Sequence, residues 1–136
     1  MTSGSNSSIA VVDDNARALA SIENLLSSAG HSVYLFISAQ DLLSDQILMK
    51  IDCLVTDIGM PDIDGFELCR RVRLIRHDLP IIFVTGRHLA EDQERSFTVG
   101  GHGLFRKPFD ASAFLAAVAD ATSAATRSPN TEGGSI

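Results

Sequence analysis

Short apolar runs alternate with amphipathic stretches along most of the chain. The runs are too short to form helices, and several are rich in Val and Ile. They are apolar throughout instead of alternating with polar residues, which is typical of strands covered on both faces of a parallel sheet. The predicted strands are residues 9–12, 33–36, 53–56, 81–85 and 104–105.

The stretches between these runs have helical periodicity. Ser38, Asp64 and Asp110 precede the second, third and fifth helices as candidate N-caps, because their side-chain oxygens can accept hydrogen bonds from free backbone N–H groups. Gly30 is expected to end the first helix. The fourth helix is predicted over about 88–99 and the fifth over about 111–125. The predicted apolar stripes comprise Leu19, Ile22, Leu25, Leu26, Leu68, Val72, Ile75, Phe114, Leu115 and Val118.

Five strands alternating with five helices predict an α/β fold. In such a (βα)5 chain the helices cover both faces of a five-stranded parallel sheet. Right-handed crossovers favour a doubly wound sheet of order 2-1-3-4-5. We expect one domain over residues 8–125, framed by flexible polar tails at 1–7 and 126–136.

Composition narrows the class of protein. The 45% hydrophobic and 21% charged residues indicate a globular domain, and the net charge of −6 disfavours direct nucleic-acid binding. No apolar run approaches the ~18 residues that a membrane span requires. Cys53 and Cys69 show no metal or redox spacing and are expected to be reduced core thiols, which fits a cytoplasmic location.

Polar residues that could take part in catalysis or ligand binding lie at four predicted strand ends. Asp13 and Asp14 follow the first strand, Asp57 the third, Thr85 ends the fourth, and Lys107 follows the fifth. Ligands of doubly wound sheets bind beyond the carboxyl ends of the strands, so we expect these side chains to converge. Any one of these Asp residues could be an ordinary turn or cap residue, but the coincidence of all five positions favours a site.

The predicted cluster combines three carboxylates, a hydroxyl and an ammonium. Carboxylates close together repel one another, and an oxygen-only ligand set suits Mg²⁺, which also binds phosphate groups. An aspartate can attack phosphorus to form an aspartyl phosphate. A lysine, a hydroxyl and a metal ion would stabilise the charge on the transferring phosphoryl group.

The motifs at these strand ends resemble those of response-regulator receiver domains, over about residues 8–125. The matching segments are VVDDN at 11–15, VTDIGMPDIDG at 55–65, VTG at 84–86 and KPF at 107–109. The spacings from Asp14 through Asp57 and Thr85 to Lys107 are 43, 28 and 22 residues. The resemblance implies the flavodoxin-like receiver fold.

The resemblance also implies a metal site and a phosphoacceptor. Asp57 would accept the phosphoryl group and ligate Mg²⁺. Asp14 would ligate Mg²⁺ directly, Asp13 through water, and Gly59 through its backbone carbonyl. Thr85 would bond a phosphoryl oxygen after phosphorylation, and Lys107 would pair with the phosphoryl group.

Other positions implied by the resemblance concern structure and switching. The bond before Pro108 would be cis. Family members often carry Tyr or Phe where this chain has Leu104, and Phe105 cannot replace that ring because successive strand residues face opposite sides. Thr85, Leu104 and Phe105 are therefore the candidate switch residues. Gly59 and Arg87 occupy positions that influence, in the family, how fast water attacks the phosphoryl group.

The implied function is a signalling phosphoacceptor that assists its own phosphorylation and is not otherwise an enzyme. A histidine kinase or phosphotransfer protein would donate the phosphoryl group. The fourth helix, fifth strand and fifth helix would then change surface, for a downstream protein, an output domain or a homodimer. Too little chain follows residue 125 for an output domain, so a stand-alone regulator and a receiver taken from a longer protein are both open.

Three alternatives remain beside this interpretation. A pseudo-receiver that is never phosphorylated is disfavoured by the intact Asp14, Asp57, Thr85 and Lys107 set. A haloacid-dehalogenase-type phosphatase needs an Asp-x-Asp spacing that residues 13–15 lack. A flavodoxin-like electron carrier would need a hydroxyl-rich phosphate loop after the first strand, which is not present in this sequence.

Overall fold

The computed structural model describes residues 7–87 and 89–126. Within them, one parallel sheet has the strand order β2-β1-β3-β4-β5, which confirms the predicted topology. The reversal of strand order between β1 and β3 is the switch point at which doubly wound folds bind ligands. The strands are β1 (Ser8–Val12), β2 (Ser32–Phe36), β3 (Cys53–Asp57), β4 (Ile81–Thr85) and β5 (Gly103–Arg106).

Five helices connect and follow the strands. They are α1 (Ala16–Ser28), α2 (Ala39–Leu43), α3 (Gly65–Ile75), α4 (Ala90–Thr98) and α5 (Ala111–Thr126), with a 3₁₀ turn at Gln46–Met49 after α2. Ser38, Asp64 and Asp110 accept backbone N–H bonds at the helix starts, which confirms their capping roles. None of the described helices is long and apolar enough to cross a membrane.

The core is divided by the sheet into two layers, because alternate strand residues face opposite sides. Ala10 and Val12 face the layer formed with α2 and α3, whereas Ile9 and Val11 face the layer formed with α1 and α5. Cys53 and Cys69 are buried free thiols in opposite layers, as expected for core residues. The sheet is thus held rigidly between helices, with its carboxyl edge left free for polar residues.

Several local predictions were wrong. Tyr34 and Leu35 of β2 are 39% and 38% exposed, because β2 is an edge strand that only β1 adjoins. Ile75 is 49% exposed at the last turn of α3 and does not belong to its buried stripe. Helix α4 begins at Ala90, two residues later than predicted. His88 lies outside the described residues. Both predicted tails also lie outside them, apart from Ser7 and Thr126.

Candidate functional site

The carboxyl edge of the sheet gathers the predicted site residues. Asp13 and Asp14 follow β1, Asp57 ends β3, Thr85 ends β4 and Lys107 follows β5. Strands β1, β3, β4 and β5 are consecutive neighbours in the sheet. Parallel strands end at the same edge, so residues distant in sequence become neighbours in space.

The three aspartates form one carboxylate cluster. Asp13, Asp14 and Asp57 each offer a carboxylate oxygen, and these oxygens all lie within 4.8 Å of one another. Asp13 is 1% exposed and Asp57 is 7% exposed, whereas Asp14 faces solvent. The cluster therefore joins the buried end of the sheet to open solvent, and an ion could enter from the side of Asp14.

Lys107 supplies the one ammonium observed at this cluster among the described residues. Its Nζ donates a 2.8 Å hydrogen bond to Asp13 Oδ2 and lies 3.7 Å from Asp57 Oδ1. Asp13 Oδ1 also accepts a 2.9 Å bond from the backbone N–H of Asn15. The carboxylate of Asp13 is thus satisfied on both oxygens. The peptide bond between Lys107 and Pro108 is cis, as the resemblance implied.

The Asp57 carboxylate is electrostatically under-compensated. Burial raises its pKa, and the neighbouring Asp13 and Asp14 raise it further. Lys107 and the backbone N–H of Ile58 act in the opposite direction without cancelling the increase. A divalent cation would relieve this repulsion, and carboxylate oxygens are ligands that suit Mg²⁺. The donor set present therefore fits a hard metal ion.

Gly65 allows the loop after Asp57 to close tightly. Its N–H donates a 2.9 Å bond to the carbonyl of Ile58, at the start of α3. A Cβ at this position would lie 2.3 Å from the backbone oxygen of Asp57. Only glycine permits this approach, so Gly65 positions the strand end that carries Asp57. In the sequence, the only sign of this role for Gly65 is its place in the 55–65 segment.

Comparison with known families decides what this arrangement is. Residues 9–119 match the family described as the response regulator receiver domain. The chain belongs to this family. The match covers β2 to β5 and α1 to α4 in full, all of β1 except Ser8, and the first part of α5, so the resemblance found in the four motifs extends over nearly all of the described fold.

Similar proteins agree with this assignment. The transcriptional regulatory protein FixJ of Bradyrhizobium diazoefficiens is 34% identical over 102 residues, covering 75% of this chain and 50% of FixJ. The response regulator MprA of Mycobacterium avium is 34% identical over 111 residues, covering 79% and 47%. The chain thus spans about half the length of the curated relatives it matches. The BeF3-activated DrrB receiver domain superposes with a TM-score of 0.80 at 28% identity, covering 88% of this chain and 99% of that one.

Thr85 of this receiver ends β4, one residue after Val84, which pairs in register with Asp57. Thr85 is 1% exposed, and its Oγ1 accepts a 3.1 Å bond from the backbone N–H of Arg87. Its backbone carbonyl accepts a 2.7 Å bond from the N–H of Lys107. Thr85 and Lys107 are therefore held in fixed register, and the Thr85 hydroxyl can still donate its own hydrogen to an incoming group.

Leu104 and Phe105 of the receiver point to opposite faces of β5, as their succession in the strand predicted. Leu104 packs against the core layer of α2 and α3. Phe105 packs in the other layer, with its ring centroid 5.6 Å from Phe114 and 6.1 Å from Phe109. Phe105 is held by two other rings, so it does not supply an aromatic side chain on the face of Leu104.

One ion pair beside the receiver site is not evident from the sequence. Arg87 Nε and Nη2 donate hydrogen bonds of 2.8 and 2.9 Å to the two carboxylate oxygens of Asp92 in α4. The side chain of Asp92 is fully buried, whereas that of Arg87 is 38% exposed. A charged residue in the first turn of a helix is common, so the sequence offered no signal that Asp92 is paired.

Proposed function

We propose that this receiver domain accepts a phosphoryl group on Asp57 from a histidine kinase or phosphotransfer protein. One observation carries the proposal. The Asp57 carboxylate lies 3.7 Å from the Lys107 ammonium, within a cluster of three carboxylates whose ligand oxygens are 4.8 Å apart or closer. A nucleophile, a cation and a metal-binding ligand set at one strand end suit phosphoryl transfer.

In the proposed transfer Asp57 is the nucleophile. An oxygen lone pair of Asp57 forms the new O–P bond while the donor's N–P bond breaks, and that electron pair returns to the imidazole nitrogen. The product is an aspartyl phosphate. Lys107 would pair with a phosphoryl oxygen, and Thr85 would donate its hydroxyl hydrogen to another. In this role the domain is a signalling acceptor and acts only on its own aspartate.

Mg²⁺ is the cofactor that we propose for this site. Asp14 and Asp57 would bind the ion directly, the backbone carbonyl of Gly59 would be a third ligand, and Asp13 would contribute through water. When bound, the ion neutralises negative charge on the carboxylates and on phosphoryl oxygens. The exposed position of Gly59 and the solvent-facing Asp14 support access from outside.

Signalling would follow from a change in the surface formed by α4, β5 and α5. Thr85 is the proposed first switch residue, and Leu104 and Phe105 would transmit the change through opposite faces of β5. The receiver would comprise residues 8–125. Its target would be a downstream protein or an output domain, and a homodimer through the same surface is part of the proposal.

Labelling with radioactive acetyl phosphate and Mg²⁺ tests the phosphoacceptor. Wild-type protein should take up acid-stable, base-labile label, and Asp57→Asn should take up none. Asp62→Asn is the matched control, because Asp62 is an exposed aspartate in the same loop with a φ of 65°, outside the proposed site. Label retained in Asp57→Asn would contradict the assignment. Failure of wild-type protein to take up label would favour a non-phosphorylated interaction module.

A further inference from the structure

The ion pair between Arg87 and Asp92 links the first turn of helix α4 to the segment after β4, beside a 2.9 Å bond from Arg106 Nη2 to the carbonyl of Leu89. Its N-cap position is Leu89, whose side chain makes no capping hydrogen bond. Asp92 stands in the first turn of α4, and its buried carboxylate accepts both bonds from the guanidinium of Arg87. A buried carboxylate requires a compensating cation, so the first turn of α4 depends on where Arg87 is held.

Arg87 also adjoins the proposed phosphoryl site. Its backbone N–H bonds to the Oγ1 of Thr85, and only Gly86 separates the two residues. The hydrogen bonds to Asp92 raise the pKa of Arg87, and the charge of Asp64 contributes to the same increase. Asp64 caps α3 in the loop that follows Asp57. The guanidinium therefore lies in the negative field of that loop while it is bound to α4.

We propose that Asp92 is a positioning residue that withholds the Arg87 guanidinium from the phosphoryl site, and that a phosphoryl group on Asp57 competes with Asp92 for it. The inference rests on the proposed phosphorylation of Asp57. Guanidinium groups bind carboxylates and phosphates with the same two-pronged geometry, so the two anions are alternative partners for one cation. Transfer of Arg87 would leave Asp92 unpaired and loosen the first turn of α4.

Linkage makes the competition measurable. If the two anions compete for the Arg87 guanidinium, binding at the phosphoryl site weakens the pair with Asp92 by the same factor by which that pair weakens binding at the phosphoryl site. Beryllofluoride is a tetrahedral mimic of a carboxylate-bound phosphoryl group and can be titrated at equilibrium with Mg²⁺ present. Asp92→Asn keeps the side-chain volume but removes the competing charge. We expect it to bind beryllofluoride about tenfold more tightly than wild-type protein.

A second variant separates positioning from a merely structural role. Adding Arg87→Gln to Asp92→Asn removes the guanidinium without leaving a buried charge, so the double variant should fold. Its affinity should return to near the wild-type value if Asp92 acts through Arg87. Glu94→Gln is the charge-matched control, because Glu94 is exposed in α4 and is not among the charges that raise the pKa of Arg87, and its affinity should not change. Hydrogen exchange should show faster amide exchange at residues 90–93 when beryllofluoride binds the wild type.

The outcomes distinguish this inference from the proposed function. Equal or weaker binding by Asp92→Asn, or a gain that survives Arg87→Gln, would overturn the role of Asp92 while leaving the phosphoacceptor intact. Wild-type protein that binds no beryllofluoride, like Asp57→Asn, would overturn both proposals. Tighter binding by Asp92→Asn that disappears in the double variant would support the competition.

Discussion

The ammonium of Lys107 bonds to Asp13 at 2.8 Å and lies 3.7 Å from Asp57. The two buried aspartates therefore differ in how well their negative charges are compensated. Asp13 is satisfied by Lys107 and by the N–H of Asn15. Asp57 interacts more weakly with the same Lys107 ammonium, and its pKa remains raised. The residue proposed to react is thus the one whose charge is poorly compensated in the resting site.

Neutralising Asp57 should stabilise the receiver in Mg²⁺-free buffer. Because burial and the charge of Asp13 raise the pKa of Asp57, the folded state holds this proton more tightly than the unfolded state. An aspartate in the unfolded chain has a pKa of about 3.9. As the pH rises from this value through the higher pKa of folded Asp57, the carboxylate forms and the free energy of unfolding falls. Asp57→Asn should raise the free energy of unfolding at neutral pH by on the order of 1 kcal/mol, measured by urea denaturation.

The control for Asp57→Asn is the same substitution at Asp13. Asp13→Asn removes the partner of the 2.8 Å bond from Lys107 and should destabilise the protein by about 2 kcal/mol, allowing for the partial exposure of the lysine. The gain in Asp57→Asn should shrink as pH falls towards 4, because the wild-type carboxyl becomes protonated there. Two aspartate substitutions with the same sign at pH 7 would show that the site is not asymmetric.

Mg²⁺ should stabilise the wild-type protein by mass action. At a concentration 100 times its dissociation constant, a ligand that binds only the folded state adds about 2.7 kcal/mol. A series of melting temperatures against Mg²⁺ concentration measures this effect. Asp14→Asn should reduce it strongly, because Asp14 is proposed to bind the ion directly and faces solvent in the cluster. A wild-type melting temperature that Mg²⁺ leaves unchanged would contradict the proposed metal site.

The topology could be predicted from the sequence. So could the position of the acidic cluster, Thr85 and Lys107 at one edge of the sheet. Strand ends can be located from apolar runs, and parallel strands end at one edge of the sheet. The exposure of Tyr34 and Leu35 could not be predicted in this way, because an apolar run does not show that β2 has a neighbouring strand on one side only. Position in the sheet is a tertiary property.

The bond between Arg87 and Asp92 could not be predicted for a related reason. Arg87 precedes α4 and lies outside its helical repeat, so the spacing of three or four residues that marks pairs within a helix does not apply. The close approach of Gly65 to Asp57 was equally hidden, since a glycine after a capping aspartate is unremarkable in a loop. Both features depend on how a loop closes, which local sequence patterns do not encode.

Gly65→Ala should damage the site more than any other single methyl addition near it. The new Cβ would lie 2.3 Å from the backbone oxygen of Asp57 and 2.9 Å from the Cα of Ile58. Overpacking of this kind costs about 1–3 kcal/mol and would displace the end of β3. We expect a lower midpoint of urea denaturation and slower labelling of Asp57. Gly59→Ala is the matched control and should preserve the midpoint, because its Cβ would have no neighbour within 4 Å.

Neither cysteine should react with alkylating reagents while the receiver is folded. Burial raises the pKa of the Cys53 thiol to about 12, with the charge of Asp52 adding to the effect, and burial also raises the pKa of Cys69. The reactive thiolate is therefore scarce as well as inaccessible. Iodoacetamide at pH 8 should modify both thiols on the order of 100-fold more slowly in native protein than in urea, as followed by mass spectrometry. Rapid native modification of Cys53 would mean that the layer between the sheet and helices α1 and α5 opens readily, because Cys53 is fully buried there.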